Sequence, residues 1–327
     1  MISRRLLRIK ALMALYAFNR REDDDLKRGE TELMFSISKT YELYHLILQL
    51  ILDISDVAAE KINLALQKKM PTYEDLNPVT RFIDNLLIAQ IRNNNSFNSY
   101  INTTKLSWTN YSHIPRLLYN KMTAWSEYSA YLKSEKQNYS ADKRFVIKLV
   151  TELIPSSEDL QSNLEEQSIY WNDDLDYVII MIEKTLKKFR EHSIEKNELM
   201  PLFKNREDED FVKILFRKAV MRSKQCSDLI DNNTANWEVE RIALMDILVM
   251  QLAITEIIEF PEIPVKVTLN EYIEIAKYYC TSKSSTFVNG ILDNIVKEMR
   301  EKGIFNKYGR GLVGEIEPET TMNKKEK

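Results

Sequence analysis

At 327 residues with 44% apolar side chains, the chain is long enough for two or three domains, each with a core of its own. Six glycines and eight prolines leave few breaks between short strands, so the composition favours an all-α fold. The two cysteines, Cys226 and Cys280, lack a spacing partner, which excludes a disulfide framework or a zinc site and points to a reducing cytoplasm, and no apolar stretch is long enough for a membrane span.

The net charge of −3 is unevenly spread. Residues 1–21 hold six basic side chains (Arg4, Arg5, Arg8, Lys10, Arg20 and Arg21) and no acidic one, leaving 40 basic and 49 acidic side chains for the rest. Arg8 and Lys10 interrupt the apolar run of this segment and no small-residue cleavage site follows, so it reads as mature structure rather than a signal peptide.

In chain order, Ser3 is the expected N-cap of a first helix that reaches about Arg20, with Ile9, Leu12, Leu15 and Tyr16 at helical spacing. The acidic run Glu22 to Asp25 ends it. A second helical stretch, one helix or two, covers Glu32 to Lys68 and closes at Pro71. Residues 93–112 are rich in Asn, Ser and Thr and read as a loop. Helical patterns resume over Pro115 to Lys136, Asp142 to Ile154 and Asp173 to His192. A faint repeat joins the middle to the C-terminal third. Phe145-Val146 precedes Trp171 by 26 residues, Phe211-Val212 precedes Trp237 by the same 26, and Leu149 with Leu215 and Ser157 with Ser223 fall in register.

The last third is the most regular. Trp237 to Glu259 carries Ile242, Met245, Val249, Leu252 and Glu256 at heptad-like steps, and FPEIP breaks it. Thr268 and Glu271 have the spacing of a capping box for a helix running to about Cys280. TSKSS caps a final helix with Phe287, Ile291, Ile295 and Met299 on one face. Residues 236–300 are thus expected to form a compact helical binding module, and the charged chain beyond Gly303 a disordered tail.

Signatures of catalysis are missing. His45, His113 and His192 have no ligand spacing around them, and no nucleophile elbow or P-loop occurs. Gly309, Gly311 and Gly314 match GxGxxG, but without a preceding strand and a following helix the match reads as tail. The acidic run at Glu22 lacks an EF-hand spacing. No cofactor and no enzymatic activity are expected. Arg4, Arg5 and Arg8 occupy the first turns of a helix, where the macrodipole disfavours cations. Phosphate contact explains the placement, and Tyr16 further along the face of Arg4 and Arg8 suits single-stranded RNA, whose bases stack while its phosphates pair. The alternative is an ordinary basic terminus.

Pro264, Lys266, Val267, Asn270, Glu271, Ile273, Glu274, Ala276 and Lys277, followed by Phe287, Val288, Asn289, Gly290, Leu292 and Asp293, resemble the signature of the NusB family of bacterial transcription antitermination factors. Arg8, Ala11, Ala14, Leu15 and Tyr16 resemble that family's first helix. The resemblance covers residues 1–20 and about 207–300. It implies two packed helical bundles of the NusB-like type with an extra helical insertion, divided as 1–28, first helix of the N-terminal bundle; 29–206, insertion; 207–303, C-terminal helical domain; and 304–327, tail.

The implied function is binding of boxA-type RNA together with the small-subunit ribosomal protein that acts as NusE, in the RNA polymerase antitermination complex and in ribosome biogenesis. On that analogy the RNA-binding residues are Arg4, Arg5, Arg8, Tyr16, Lys283 and Ser284, and the partner-binding residues are Asp246, Glu256, Asn270 and Glu271. The chain departs from the family at Met13, where a glutamine is usual, and at Gln251, where an arginine is usual, which removes one phosphate partner. Asn289-Gly290 reads as a site of close helix packing. Two other functions compete: a protein-interaction scaffold that has lost RNA binding, and a ribosomal RNA methyltransferase. The second needs a cofactor domain for which the residues after the last helix leave no room.

Overall fold

The computed structural model describes residues 2–21, 24–192, 197–234 and 242–308. Trp237, Glu22, the glycines at 309, 311 and 314 and the expected tail from 309 onward lie outside the described residues. The described residues form fifteen α-helices and no strand, as the all-α reading expects.

In chain order the helices are α1, Arg4–Asn19; α2, Leu26–Leu66; α3, Tyr73–Leu76; α4, Leu86–Arg92; α5, Asn95–Thr104; α6, His113–Thr123; α7, Ser126–Lys133; and α8, Tyr139–Lys148. There follow α9, Glu158–Gln167; α10, Leu175–Lys188; α11, Arg206–Met221; α12, Ser223–Thr234; α13, Leu244–Glu259; α14, Val265–Tyr279; and α15, Ser284–Glu301. The chain divides into two compact units. One comprises Phe35–Lys204 with Ile2, and the other Ser3–Met34 with the chain from Asn205 onward. From sequence the ends of the central stretch fall at 29 and 206, and by contacts at Phe35 and Lys204.

Local chemistry starts several of these helices. Ser3, Asn85, Asn94, Asn138, Ser157 and Asn205 each stand at an N-cap and accept a hydrogen bond from a backbone N–H of the first turn. The Asn-rich stretch read as a loop follows this rule and becomes α5. Asn94 accepts from the Phe97 amide at 3.0 Å, Phe97 is buried, and Lys105 closes the helix at φ 58°. Thr103 and Thr104 turn their hydroxyls back onto the carbonyls of Ser99 and Tyr100, so burial of Phe97 outweighs the weak helix propensity of its neighbours.

Two further expectations change. The capping box at Thr268 does not form. α14 begins at Val265, with Pro264 rather than Thr268 at its N-cap, and Thr268 instead donates to Glu256 while Glu271 holds Arg5. Long-range carboxylate and guanidinium partners win over the local reciprocal bond. Close packing at Gly290 is also absent, since nothing lies within 4 Å of the position a Cβ would take. The crowded glycine is Gly29 in α2, where a Cβ would stand 2.8 Å from the ring of Phe216.

In the unit formed by Phe35–Lys204, α2 is the central rod. Leu43, Tyr44, His45, Leu46, Ile47, Leu48, Leu50, Ile51, Leu52 and Ile54 are all buried, a broad apolar surface that leaves only a narrow polar stripe through Gln49, Asp53 and Asp56 toward solvent. This is the longest apolar stretch of the sequence, and no helix among the described residues is long and apolar enough to cross a membrane. Trp108 and Trp171 each donate an indole N–H to a carbonyl of α2, those of Leu46 and Lys39, at 2.9 and 2.8 Å. Gln90 is buried and donates to the carbonyls of Arg190 and Glu191, tying α4 to the chain after α10.

In the other unit α1 packs on α11 and α13, α14 packs between α13 and α15, and α12 lies against α13 and α15. Phe211, Val212 and Leu215 of α11 are buried, as are Phe145, Val146 and Leu149 of the repeat-related segment in the first unit. Asp142 and Asp208, each 6% exposed, stand one turn before these Phe-Val pairs.

His45 sits in an aromatic box. Its ring stacks on Tyr100 with centroids 3.8 Å apart, and Nδ1 bonds the Tyr41 carbonyl at 2.9 Å. Burial pushes its pKa down from 6.5 to about 4, so the fold favours the neutral ring. The resulting stability is complete above pH 6.5 and lost as pH falls toward 4, a swing of about 3 kcal/mol. Urea unfolding as a function of pH is expected to show the stability gap between wild type and His45→Gln narrowing across that window. A gap that stays constant contradicts the assignment.

Candidate nucleic-acid interface

Three arginines stand at the head of α1, a helix with no acidic residue in its first turn to oppose them. Each meets a carboxylate from a different, sequence-distant helix. Arg4 Nε donates to Asp208 of α11 at 2.9 Å, Arg5 donates through Nε and Nη2 to both oxygens of Glu271 of α14 at 2.9 and 2.8 Å, and Arg8 donates through Nε and Nη2 to both oxygens of Glu256 of α13 at 2.7 Å. These contacts answer the macrodipole problem from within the chain, since carboxylates supply the counter-charge that the helix terminus withholds.

The Arg8–Glu256 pair is buried, with side-chain exposures of 4% and 0%. Glu256 also accepts from Thr268 Oγ1 at 2.9 Å and from the Tyr272 hydroxyl at 3.1 Å, so its oxygens take four hydrogen bonds. Burial alone lowers the proton affinity of Arg8, but the hydrogen bonds and charge of Glu256 more than offset it and leave the guanidinium held firmly protonated. Burial and the Glu256 charge push the Tyr272 hydroxyl well up. Phe211 completes the enclosure, with the Arg4 and Arg8 guanidiniums 5.1 and 5.3 Å from its ring centre.

The residues expected to touch RNA and those expected to touch a protein therefore meet one another. Arg8 and Glu256 face neither solvent nor a surface, and their place is in the core of the unit. Ser284 is likewise buried and donates to Asp246 Oδ2 at 2.9 Å, so that pair ties α15 to α13. Asp246 Oδ1 is buried and has no hydrogen-bond partner. Together with burial, this carboxylate pushes the Cys280 thiol up. Gln251 is buried too, its amide donating to the Ala219 carbonyl of α11 at 2.8 Å, so it acts as a cross-link between helices.

Six of the expected residues keep reach into solvent. Arg4 and Arg5 have side chains 35% and 50% exposed, and Glu271 21%. Lys283 and Asn270 are exposed, while Tyr16 is partly exposed with the Arg20 guanidinium 5.4 Å from its ring centre. The Arg5 hydrogen bonds hold the Glu271 carboxyl below its usual range. Sequence reading missed Asp208, Thr268 and Tyr272. The three arginines without local acids were the available signal, but their partners lie 204 to 266 residues away.

The family model described as NusB family matches residues 177–297, a span that begins in α10 and leaves out α1. A relative from Salinibacter ruber, named transcription antitermination protein NusB, is 41% identical over 115 residues, covering 35% of this chain and 72% of the relative. One of the same name from Chloroherpeton thalassium is 42% identical over 104 residues, covering 32% of this chain and 49% of the relative. A solved structure of T. maritima NusB is 25% identical and covers 50% of this chain and 94% of its own, with a TM-score of 0.29.

Removing one half of a buried pair strands the other charge, at a cost of about 3–5 kcal/mol. Glu256→Gln is expected to lower the unfolding free energy by that amount in urea titration. The double variant Arg8→Met, Glu256→Leu is expected to recover most of the loss, and a double variant no better than the single one contradicts the pairing.

Proposed function

The chain belongs to the NusB family, and on that premise we propose that it is a transcription antitermination factor that binds boxA-type RNA together with the small-subunit ribosomal protein serving as NusE. In this reading it works in the cytoplasm, within the RNA polymerase antitermination complex, and takes part in ribosome biogenesis. Members of the family are antitermination factors and not enzymes.

The observation that carries the RNA reading is the exposed arginine end of α1. Arg4 and Arg5 present cations on a helix terminus fixed by a buried anchor, and Tyr16 offers a partly exposed ring further along the same helix. Lys283, at the start of α15, is the remaining exposed cation of the proposed site. Arg8 and Ser284 support this surface from below. Asn270 and Glu271 on α14 form the proposed protein-facing side.

A second reading, a scaffold without RNA binding, is favoured by one observation: all three arginines already hold a carboxylate. Binding assays over a salt series separate the two. The double variant Arg4→Ala, Arg5→Ala is expected to weaken boxA RNA binding and to flatten the logarithmic salt slope by about 0.7 per lost phosphate contact. Association with the ribosomal partner but no RNA affinity at any salt concentration is the outcome that favours the scaffold.

A further inference from the structure

The three arginine pairs at the head of α1 differ in what it takes to open them. Separating Arg8 from Glu256 leaves two charges in the core, where neither finds water. The Asp208 side chain is only 9% exposed, so releasing Arg4 strands a covered carboxylate. Arg5 and Glu271, at 50% and 21% exposure, are both reached by solvent when they part. Among the three, Arg5 is the guanidinium that can change partners at low cost.

Glu271 occupies the face of Arg5 that a phosphate needs. Its two oxygens take Nε–H and one Nη2–H at 2.9 and 2.8 Å, the forked edge through which arginine binds an oxyanion. The charge of Glu274 also strengthens the hold of Arg5 on its proton, but Glu274 has a cation of its own in Lys277. Glu271 therefore supplies the direct contact, and Glu274 only a background field.

We propose that Glu271 is an intramolecular competitor for the phosphate position on Arg5, so that RNA binds by exchanging a carboxylate for a phosphate on this one guanidinium. The inference rests on the RNA-binding reading above. It turns the objection raised by the occupied arginines into a device. Glu271 keeps Arg5 extended and aimed while the site is empty, and lowers affinity by the strength of an exposed ion pair.

The full-length chain, titrated into a fluorescently labelled single-stranded RNA carrying a boxA element, tests this by anisotropy across a salt series. Glu271→Gln is expected to bind about two- to fivefold tighter than wild type, the range of an exposed ion pair. Its salt slope is expected to stay close to that of wild type, because Arg5 meets the same phosphate in both, whereas losing Arg5 should flatten the slope by about 0.7. Adding Arg5→Ala should abolish the gain. Glu271→Asp, which keeps the charge but shortens the reach, should fall between wild type and Glu271→Gln. If both Glu271 variants fold as wild type and bind RNA no tighter, while Arg5→Ala still weakens binding, the competitor role is overturned and the RNA reading stands. Absence of RNA binding by wild type and Glu271→Gln alike overturns both.

Discussion

The bidentate pair between Arg8 and Glu256 fixes where the first helix lies, and the surface proposed for RNA depends on that placement. A buried ion pair contributes little net stability, because desolvation consumes most of its Coulomb gain, but it tolerates few geometries. Here Thr268 and Tyr272 of α14 hold the Glu256 carboxylate in place, and the two hydrogen bonds from Arg8 to it specify how α1 is seated. Once Arg8 is inward, Arg4 and Arg5 must lie on the flanks of the same helix end. Arg4 then finds Asp208, and Arg5 finds Glu271. A single core contact thus decides which arginines remain within reach of a ligand and how tightly each is already held.

The unit built on Phe35–Lys204 has a different logic. Its axis is a helix buried over most of its middle, and the elements around it are pinned by polar groups that cannot be left unpaired in an apolar interior. The indoles of Trp108 and Trp171 bond carbonyls of that helix, and Thr40 bonds Asp174 at 2.5 Å. Tyr44 meets Thr185 at 2.9 Å. These contacts give the unit a core of its own, the mark of a separate compact unit.

Much of this was legible in the sequence, and the misses share a cause. Period located most of the expected helices, and the cap Ser3 placed the start of the first because it acts within three residues of itself. The Asn-rich stretch misled because its polar residues favour caps as strongly as loops, and only burial of Phe97 decides between them. Thr268 and Glu271 misled for the opposite reason, since a local motif was present but both side chains found better partners on distant helices. For the candidate site, residue types were readable and roles were not. Arg8 and Ser284 look like surface cation and hydroxyl in sequence, and only the folded chain brings Glu256 and Asp246 against them.

The buried pair locks α1 to its unit, so that the helix does not rest on it as a separable arm. Native-state hydrogen exchange of the α1 amides from Leu7 to Leu15 tests it most directly. They are expected to exchange only through cooperative opening of the unit, with protection matching that of the α13 amides around Leu252. Exchange of α1 at markedly lower protection than α13, through a local opening that leaves α13 intact, would contradict it.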